Sequence, residues 1–375
     1  MPPTKAQKKQ AQAAAEAFDA HFAQEYGTRW PVLRERLAQP TEYAALVNAY
    51  APAADVDRAL LGAGAPGAMT LFRLPVLPGT RAATRLLCLT RAAPASTGTA
   101  KPFPPPRPAA AADAAQRLHT HWNLDAASVL AAHLLDAQPG HAVLDLCAAP
   151  GGKSIALAQR LWPELYADRP NAAPAQQPSM LHANEIDVAR NRRLVTNLQS
   201  YLPRILFDRG LVEVTRVDGT APRAVHLFPL GEGAYDRVLL DAPCSSERHV
   251  LHAQVRAQQS GTIAPEMMAW KPAATRTFSK TQGALLHTAW HAVRPGGRVL
   301  YATCSLSHVE NDEVVRAFLD GAADAHVVRV DDAVARVCER TDFGYLALPD
   351  HLPPGASAPA PWGPLYFCVL KKGSP

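Results

Sequence analysis

Two cysteines stand where a chain can use them together. Cys244 lies in Asp241-Ala242-Pro243-Cys244-Ser245 and Cys304 in Thr303-Cys304-Ser305, each at the end of an apolar run that reads as a buried strand. A pair of thiols at neighbouring strand ends can complete covalent chemistry that one thiol can only start. The other four, Cys88, Cys147, Cys338 and Cys368, read as small buried hydrophobes. No Cys-x-x-Cys spacing occurs among the six, which argues against a disulfide scaffold or a metal site and for a reducing compartment.

A second constellation precedes them. Val143-Leu144-Asp145-Leu146-Cys147-Ala148-Ala149-Pro150-Gly151-Gly152-Lys153-Ser154 places small residues and two glycines between a strand and a helix. Backbone there can approach a ligand closely, with helix amides facing it. A phosphate-cradling P-loop needs a glycine five residues before Gly152, and that position is Cys147. The Gly-x-Gly-x-x-Gly dinucleotide fingerprint is missing as well. The loop fits a class I methyltransferase binding S-adenosylmethionine. Such a fold places an acid after the second strand for the ribose hydroxyls, a polar residue after the third near the adenine and a motif after the fourth near the methyl group, and Glu185, Asp218 and Asp241 occupy those places. Asp187 reads instead as a helix cap.

The elements that position these residues follow an alternating pattern. Strands are expected over 142–146, 181–184, 212–217, 237–240 and 298–302, with helices over 152–162, 188–201 and 279–293. This predicts a doubly wound α/β sheet with ligands at the carboxyl ends of its strands. Before it, 7–50 reads as helical and 69–76 and 85–90 as strands, giving a smaller α+β module. The prolines of 92–112 interrupt helix and strand alike and place a boundary there, with residues 1–108 as an N-terminal module and 109–375 as the main domain. Low-complexity stretches 165–178 and 349–364 read as surface insertions.

The chain has 375 residues, is 48% apolar and carries a formal charge of +5, enough for a sizeable core and mildly suited to a polyanion. Arg190, Arg192, Arg193, Arg204, Arg209, Arg216 and Arg223 concentrate the basic charge in one segment, read as a solvated helix face. No apolar stretch reaches eighteen residues, so no membrane helix is expected. The first fifteen residues lack the apolar core of a secretory signal.

Taken together, the Asp-Ala-Pro-Cys-Ser and Thr-Cys-Ser motifs with 147–153 resemble the Nop/Sun (NSUN) family of RNA cytosine-5 methyltransferases. Ser246-Glu247-Arg248-His249-Val250-Leu251-His252, Ser305-Leu306-Ser307-His308, Gly363-Pro364-Leu365-Tyr366-Phe367-Cys368, Trp30-Pro31 and 43–48 are similar to its mitochondrial ribosomal-RNA branch. The resemblance implies S-adenosylmethionine as cofactor, RNA as substrate, ribosomal RNA first, and a mitochondrial location. It implies that Cys304 is the nucleophile at carbon 6 of cytosine, because carbon 5 is too weakly nucleophilic to take a methyl group until a thiolate has added. Asp241 would hold the N3 and N4 edge, Cys244 would assist release, and Lys153 would organise the site. Arg190 and Gly219 would join residues 147–153, Glu185, Asp218 and Asp241 around the cofactor. The branch also implies a helical-repeat partner of the mitochondrial termination-factor type that supplies RNA affinity.

His249 and His308 are expected at the surface or behind the site. Trp270, Trp290 and Trp362 are candidates to stack on RNA, with core packing favoured for Trp290. Rival functions are a DNA cytosine methyltransferase, which would not need Thr-Cys-Ser, an organellar transfer-RNA methyltransferase, and a ribosome-assembly factor acting by binding.

Overall fold

The computed structural model describes residues 3–61, 69–75, 86–91, 103–110, 117–168, 175–356 and 358–373. Helix α1 (Lys5–Tyr26) starts at a capping box in which Thr4 and Gln7 satisfy each other's amides. Helix α2 (Trp30–Ala38) ends where Gln39 turns extended, as a residue before proline prefers. The helical pattern expected to residue 50 therefore stops at Ala38, and Ala44–Val47 forms strand β1 instead. Helix α3 (Ala53–Leu61), strands β2 (Met69–Leu71), β3 (Cys88–Arg91) and β4 (His121–Leu124) follow. These strands make an antiparallel sheet in the order β2-β3-β1-β4. Val76 and Arg85, the inner ends of the two strands expected here, and residues 169–174 of the expected insertion lie outside the described residues. The sheet extends past residue 108 through β4, and 103–110 runs extended with a bridge from Pro108 to His119.

The larger unit begins with α4 (Ala126–Leu134), capped by Asp125. Strand β5 (Ala142–Asp145), helix α5 (Gly152–Leu161), strand β6 (Met180–Asn184), helices α6 (Val188–Tyr201) and α7 (Arg204–Asp208) and strand β7 (Val212–Thr215) come next. Strand β8 (Tyr235–Asp241), helices α8 (Glu247–Ser260), α9 (Pro265–Ala269) and α10 (Pro272–Ala292) and strand β9 (Val293–Thr303) lead to the second cysteine motif. Helix α10 starts seven residues earlier than expected, at a proline in its first turn, where a missing amide costs nothing. Helix α11 (Asp312–Leu319), strand β10 (Ala325–Val327), helix α12 (Asp331–Val334) and strands β11 (Glu339–Arg340), β12 (Tyr345–Ala347) and β13 (Leu365–Lys372) complete the chain.

The strand order is β7-β6-β5-β8-β9-β13-β12-β11, with β10 also on β13. Strands β5 to β9 run parallel and β13 antiparallel between β9 and β12. This is the class I methyltransferase architecture. The direction of strand addition reverses between β5 and β8, the place where an open α/β sheet binds ligands beyond its carboxyl ends.

Alternate strand residues feed two cores. Val143, Leu181, Leu239 and Leu300 pack with Leu130, Ile155 and Leu194 on one face. Leu144, Val238, Val299 and Tyr301 pack with Leu251, Leu285 and Val315 on the other. Because both faces are covered, the strands read as continuous apolar runs. The second core takes in Phe18, Phe22, Trp30, Leu33 and Leu37, so the N-terminal helices lie on the methyltransferase unit.

Trp270 is 8% exposed, with its ring centroid 4.8 Å from Phe18 and 5.7 Å from Phe22. Trp290 and Trp362 are buried too, Trp290 against Phe318 and Trp362 near Phe72. The stacking role considered for Trp270 and Trp362 is thereby corrected: apolar packing claims both rings. We predict that Trp270→Ala costs about 3–5 kcal/mol in denaturant unfolding, the usual loss for a buried tryptophan. A loss below about 1 kcal/mol would show that α1 does not depend on this contact. The stretch 349–364, expected as a surface insertion, is exposed at 354–356, but Trp362, Gly363 and Pro364 are buried and Gly363 donates its amide to Asp125 at 2.8 Å.

Candidate active site

Strands β8 and β9 are in register, with Asp241 opposite Ala302, so the chain leaves both at the same level. The residues just beyond bring Cys244 Sγ and Cys304 Sγ to 3.2 Å. Sixty residues separate the two in sequence (304 − 244), and the parallel pairing of their strands removes that distance. Ser246 Oγ lies 3.4 Å from Cys304 Sγ. Between the thiols the charge is unequally placed. The hydrogen bond from Cys244 draws the Cys304 thiol below its ordinary value, against burial, with Ser246 helping. The Cys244 thiol is pushed well up by that same contact and by burial. Cys304 is the thiol that ionises first.

Asp241, at the end of β8, meets Lys153 from the first turn of α5, with Nζ donating to Oδ2 at 2.6 Å. Lys153 also donates to Ser128 Oγ on α4 at 3.1 Å. Burial works to lower the Lys153 ammonium, but Asp241, with Asp145 and Cys304 adding to it, outweighs burial and the net shift is upward, so the lysine stays charged. Gly151, at φ 115°, begins α5, a conformation that favours glycine. A Cβ on Gly152 would meet the Trp122 ring at 2.6 Å, which favours glycine there, and one on Gly219 would make the Leu285 side chain shift. Cys147, Ala148, Ala149 and Pro150 form the turn before them, and the Ala148 amide donates to Asn184 O at 2.8 Å.

Asp145 closes β5. Its carboxyl is pushed up to about 7 by burial, with Ser154 Oγ donating to Oδ2 at 2.6 Å and Oδ1 buried without a partner. Glu185 follows β6 and pairs with Arg190 at 3.2 Å; Arg190 also donates to Ala149 O, tying α6 to the turn. Asp187 accepts from the Arg190 amide at 2.8 Å and caps α6, as expected from its position. Asp218 follows β7, exposed, and accepts from the Thr220 amide and hydroxyl, which hold its carboxyl low. Asn184 ties these strand ends together: its amide donates to Leu146 O and Val217 O and accepts from the Val217 amide.

Residues 132–344 match the family described as 16S rRNA methyltransferase RsmB/F. The chain belongs to that family. RsmB/F enzymes are S-adenosylmethionine-dependent RNA cytosine-5 methyltransferases, and this chain is one. It is 31% identical, over 98% of its length and 90% of the relative's, to a mitochondrial tRNA (cytosine(34)-C(5))-methyltransferase of Danio rerio. It is 29% identical, over 95% of its length and 88% of the relative's, to the 5-cytosine rRNA methyltransferase NSUN4 of Bos taurus. Among solved structures, NSun6 from Pyrococcus horikoshii with SFG aligns with a TM-score of 0.59 at 16% identity, covering 96% of this chain and 98% of that one. A methyltransferase homologue from Pyrococcus horikoshii aligns with a TM-score of 0.54 at 20% identity, covering 92% of each.

In this RsmB/F chain the expected site residues converge on the carboxyl ends of β5, β6, β7, β8 and β9. Cys88, Cys338 and Cys368 are buried as expected, while Cys147 is half-buried in the turn. His249 and His308 are exposed, on Glu266 and Glu25 respectively. Sequence reasoning missed Asp145, Ser128, Ser246 and a buried group behind the cysteines, Glu247 with Glu310. Ser245 and Ser305, each directly after a cysteine, were the available signal for that group.

Proposed function

We propose that Cys304 adds to carbon 6 of a cytosine in ribosomal RNA, and that Cys244 assists release after carbon 5 has been methylated. The observation that carries this reading is the pair of thiols 3.2 Å apart beyond adjacent strands, with the Cys304 thiol drawn down and the Cys244 thiol pushed up. The residues fit S-adenosylmethionine. Asp145 offers a buried oxygen without a partner below the turn, and Glu185 and Asp218 offer carboxylates at adjacent strand ends for hydroxyl and amine donors. Residues 147–153, Arg190 and Gly219 would complete that pocket. When bound, the cofactor supplies an electrophilic methyl group.

The chain's own residues do the rest. Cys304 enters as thiolate, and its addition sends an electron pair towards carbon 5 and the N3 and N4 edge. Asp241, oriented by Lys153, has one carboxyl oxygen that the lysine leaves open and sets it against the N3 and N4 edge, where it accepts from the N4 amine. Once Cys304 is bonded to carbon, Cys244 no longer faces a thiolate, its thiol becomes easier to ionise, and it gives its own proton to solvent. As thiolate it accepts the carbon 5 proton, the double bond re-forms, and Cys304 is expelled.

We predict that Asp218→Ala weakens S-adenosylmethionine binding by about 1–3 kcal/mol, the loss for one polar contact. Unchanged affinity by calorimetry would place the adenosine elsewhere.

The RNA itself meets an exposed basic segment. Arg190, Arg192 and Arg193 on α6 and Arg204, Arg209, Arg216 and Arg223 beyond it are exposed, which suits phosphate contacts. Ribosomal RNA is favoured by the family description; the transfer-RNA reading is kept by the relative from Danio rerio. A mitochondrial location rests on the similar proteins' names. Residues 1–108 are proposed as the module for RNA or a protein partner, including one of the termination-factor type, with 109–375 as the methyltransferase domain. Bisulfite sequencing of organellar and cytosolic RNA, with and without this chain, tests the substrate. The expected result is loss of one methylated cytosine in mitochondrial ribosomal RNA; loss confined to a transfer RNA would overturn it.

A further inference from the structure

Directly behind the thiols lie two carboxyl side chains that the reaction above does not use. Glu247 and Glu310 are each fully buried, and neither makes an ion pair among the described residues. Glu310 has its accepting positions filled. Its Oε1 takes the hydroxyls of Ser245 and Ser305, and its Oε2 takes the Ser245 amide at 3.1 Å and Gln282 Nε2 at 2.8 Å. That donor set is the one an ionised carboxylate accepts. Glu247 takes the Leu306 amide on Oε2 at 2.9 Å and sets Oε1 against Ser245 Oγ. A serine hydroxyl has one hydrogen. If Ser245 gives it to Glu310, the short contact with Glu247 is satisfied only by a proton on Glu247, donated to Ser245 Oγ. Two unpaired carboxylates buried around one hydroxyl would otherwise leave one of them unsatisfied.

We propose that Glu247 and Glu310 form a proton-sharing clamp, Glu247 neutral and Glu310 ionised, that sets the separation of the two thiols. Both act as positioning residues. The clamp grips the residue after each cysteine, Ser245 on one loop and Ser305 on the other, and the two hydroxyls also meet at 3.0 Å. Opening it moves Cys244 away from Cys304 and removes the hydrogen bond that keeps Cys304 reactive. Burial pushes the Glu247 carboxyl up to about 7, so its proton is fully held in acid and is lost as pH rises through that value. The titratable groups that face it are Glu310, Cys244, Cys304 and Tyr26 of α1, whose hydroxyl donates to Leu306 O at 2.8 Å; Tyr301 of β9 donates to Glu310 O.

The inference rests on the two-thiol reading, and its test separates the two. Iodoacetamide alkylation of Cys304 is followed against pH by mass spectrometry on the purified full chain without RNA, and kcat and KM are measured beside it. In Glu310→Gln an amide NH₂ replaces an acceptor, so the alkylation midpoint is expected to rise and kcat to fall about tenfold, with KM for S-adenosylmethionine and RNA unchanged. Glu247→Gln keeps one donor and one acceptor and is expected to stay near the parent, while Glu247→Ala behaves like Glu310→Gln. Parent-like alkylation in Glu310→Gln, or equal slowing in Glu247→Gln and Glu247→Ala, would overturn the clamp. Should Glu310→Gln fail to fold, the Glu247 pair decides alone. Normal alkylation shifts in a chain that methylates no RNA would fault the RNA reading and leave the clamp standing.

Discussion

Cys244→Ala is expected to accumulate a covalent complex between protein and RNA. Cys304 keeps its position at the end of β9 and can still add, and methyl transfer can follow, but the proton acceptor that lies 3.2 Å away is gone. Elimination then waits on water. On a denaturing gel the variant should show a slow band carrying labelled RNA, and the band should vanish in the double variant with Cys304→Ala. A second effect works against the trap: without the hydrogen bond from Cys244, the Cys304 thiol returns upward and is less ionised near neutrality. The complex should therefore form more slowly near pH 7 than at pH 9, where thiolate is plentiful, yet persist at both. A band that disappears on standing as fast as in the parent would show that Cys244 does not assist release.

Cys304→Ala is expected to abolish methylation while cofactor affinity stays within about twofold of the parent. The thiol lies beside Cys244 and Ser246, and the acids expected to hold the cofactor, Glu185 and Asp218, follow β6 and β7 on the other side of β5 and β8. Loss of a nucleophile in covalent catalysis leaves only binding and orientation, so kcat should fall by a factor on the order of 10⁴ or more. Methyl incorporation from labelled cofactor measures it. Turnover within about a hundredfold of the parent would remove Cys304 from the nucleophile's role.

Much of this site was legible before any coordinates, and the reason is local. Strands β5, β6 and β8 are covered on both faces, so their apolar runs are uninterrupted, and the residues that end them, Glu185, Asp241 and the two cysteines, stand out by contrast. Helix α6 was read at its observed limits because Asp187 caps it and Leu194 and Leu198 keep its period. What was not legible depends on partners far away in the chain. Residues 44–47 look helical alone and become a strand because β3 and β4 flank them. Trp270 and Trp362 look like free aromatic surfaces until α1 and the stretch around Phe72 cover them. Glu247 and Glu310 carry no mark of burial in the sequence; the approach of the β8 and β9 loops buries them around Ser245. Strand β13, antiparallel in a parallel sheet, carries no mark of its direction in the sequence.

The central claim is that Cys304, and not Cys244, bonds to the RNA base. Protease digestion of the complex trapped in Cys244→Ala, followed by mass spectrometry of the peptide that retains a nucleotide, tests it directly. The account predicts a cytidine adduct on the peptide containing Thr303-Cys304-Ser305, with the mass of an added methyl group. An adduct that instead forms in Cys304→Ala and maps to Cys244 would contradict it, and would place the chain with enzymes that use the Pro-Cys thiol as nucleophile.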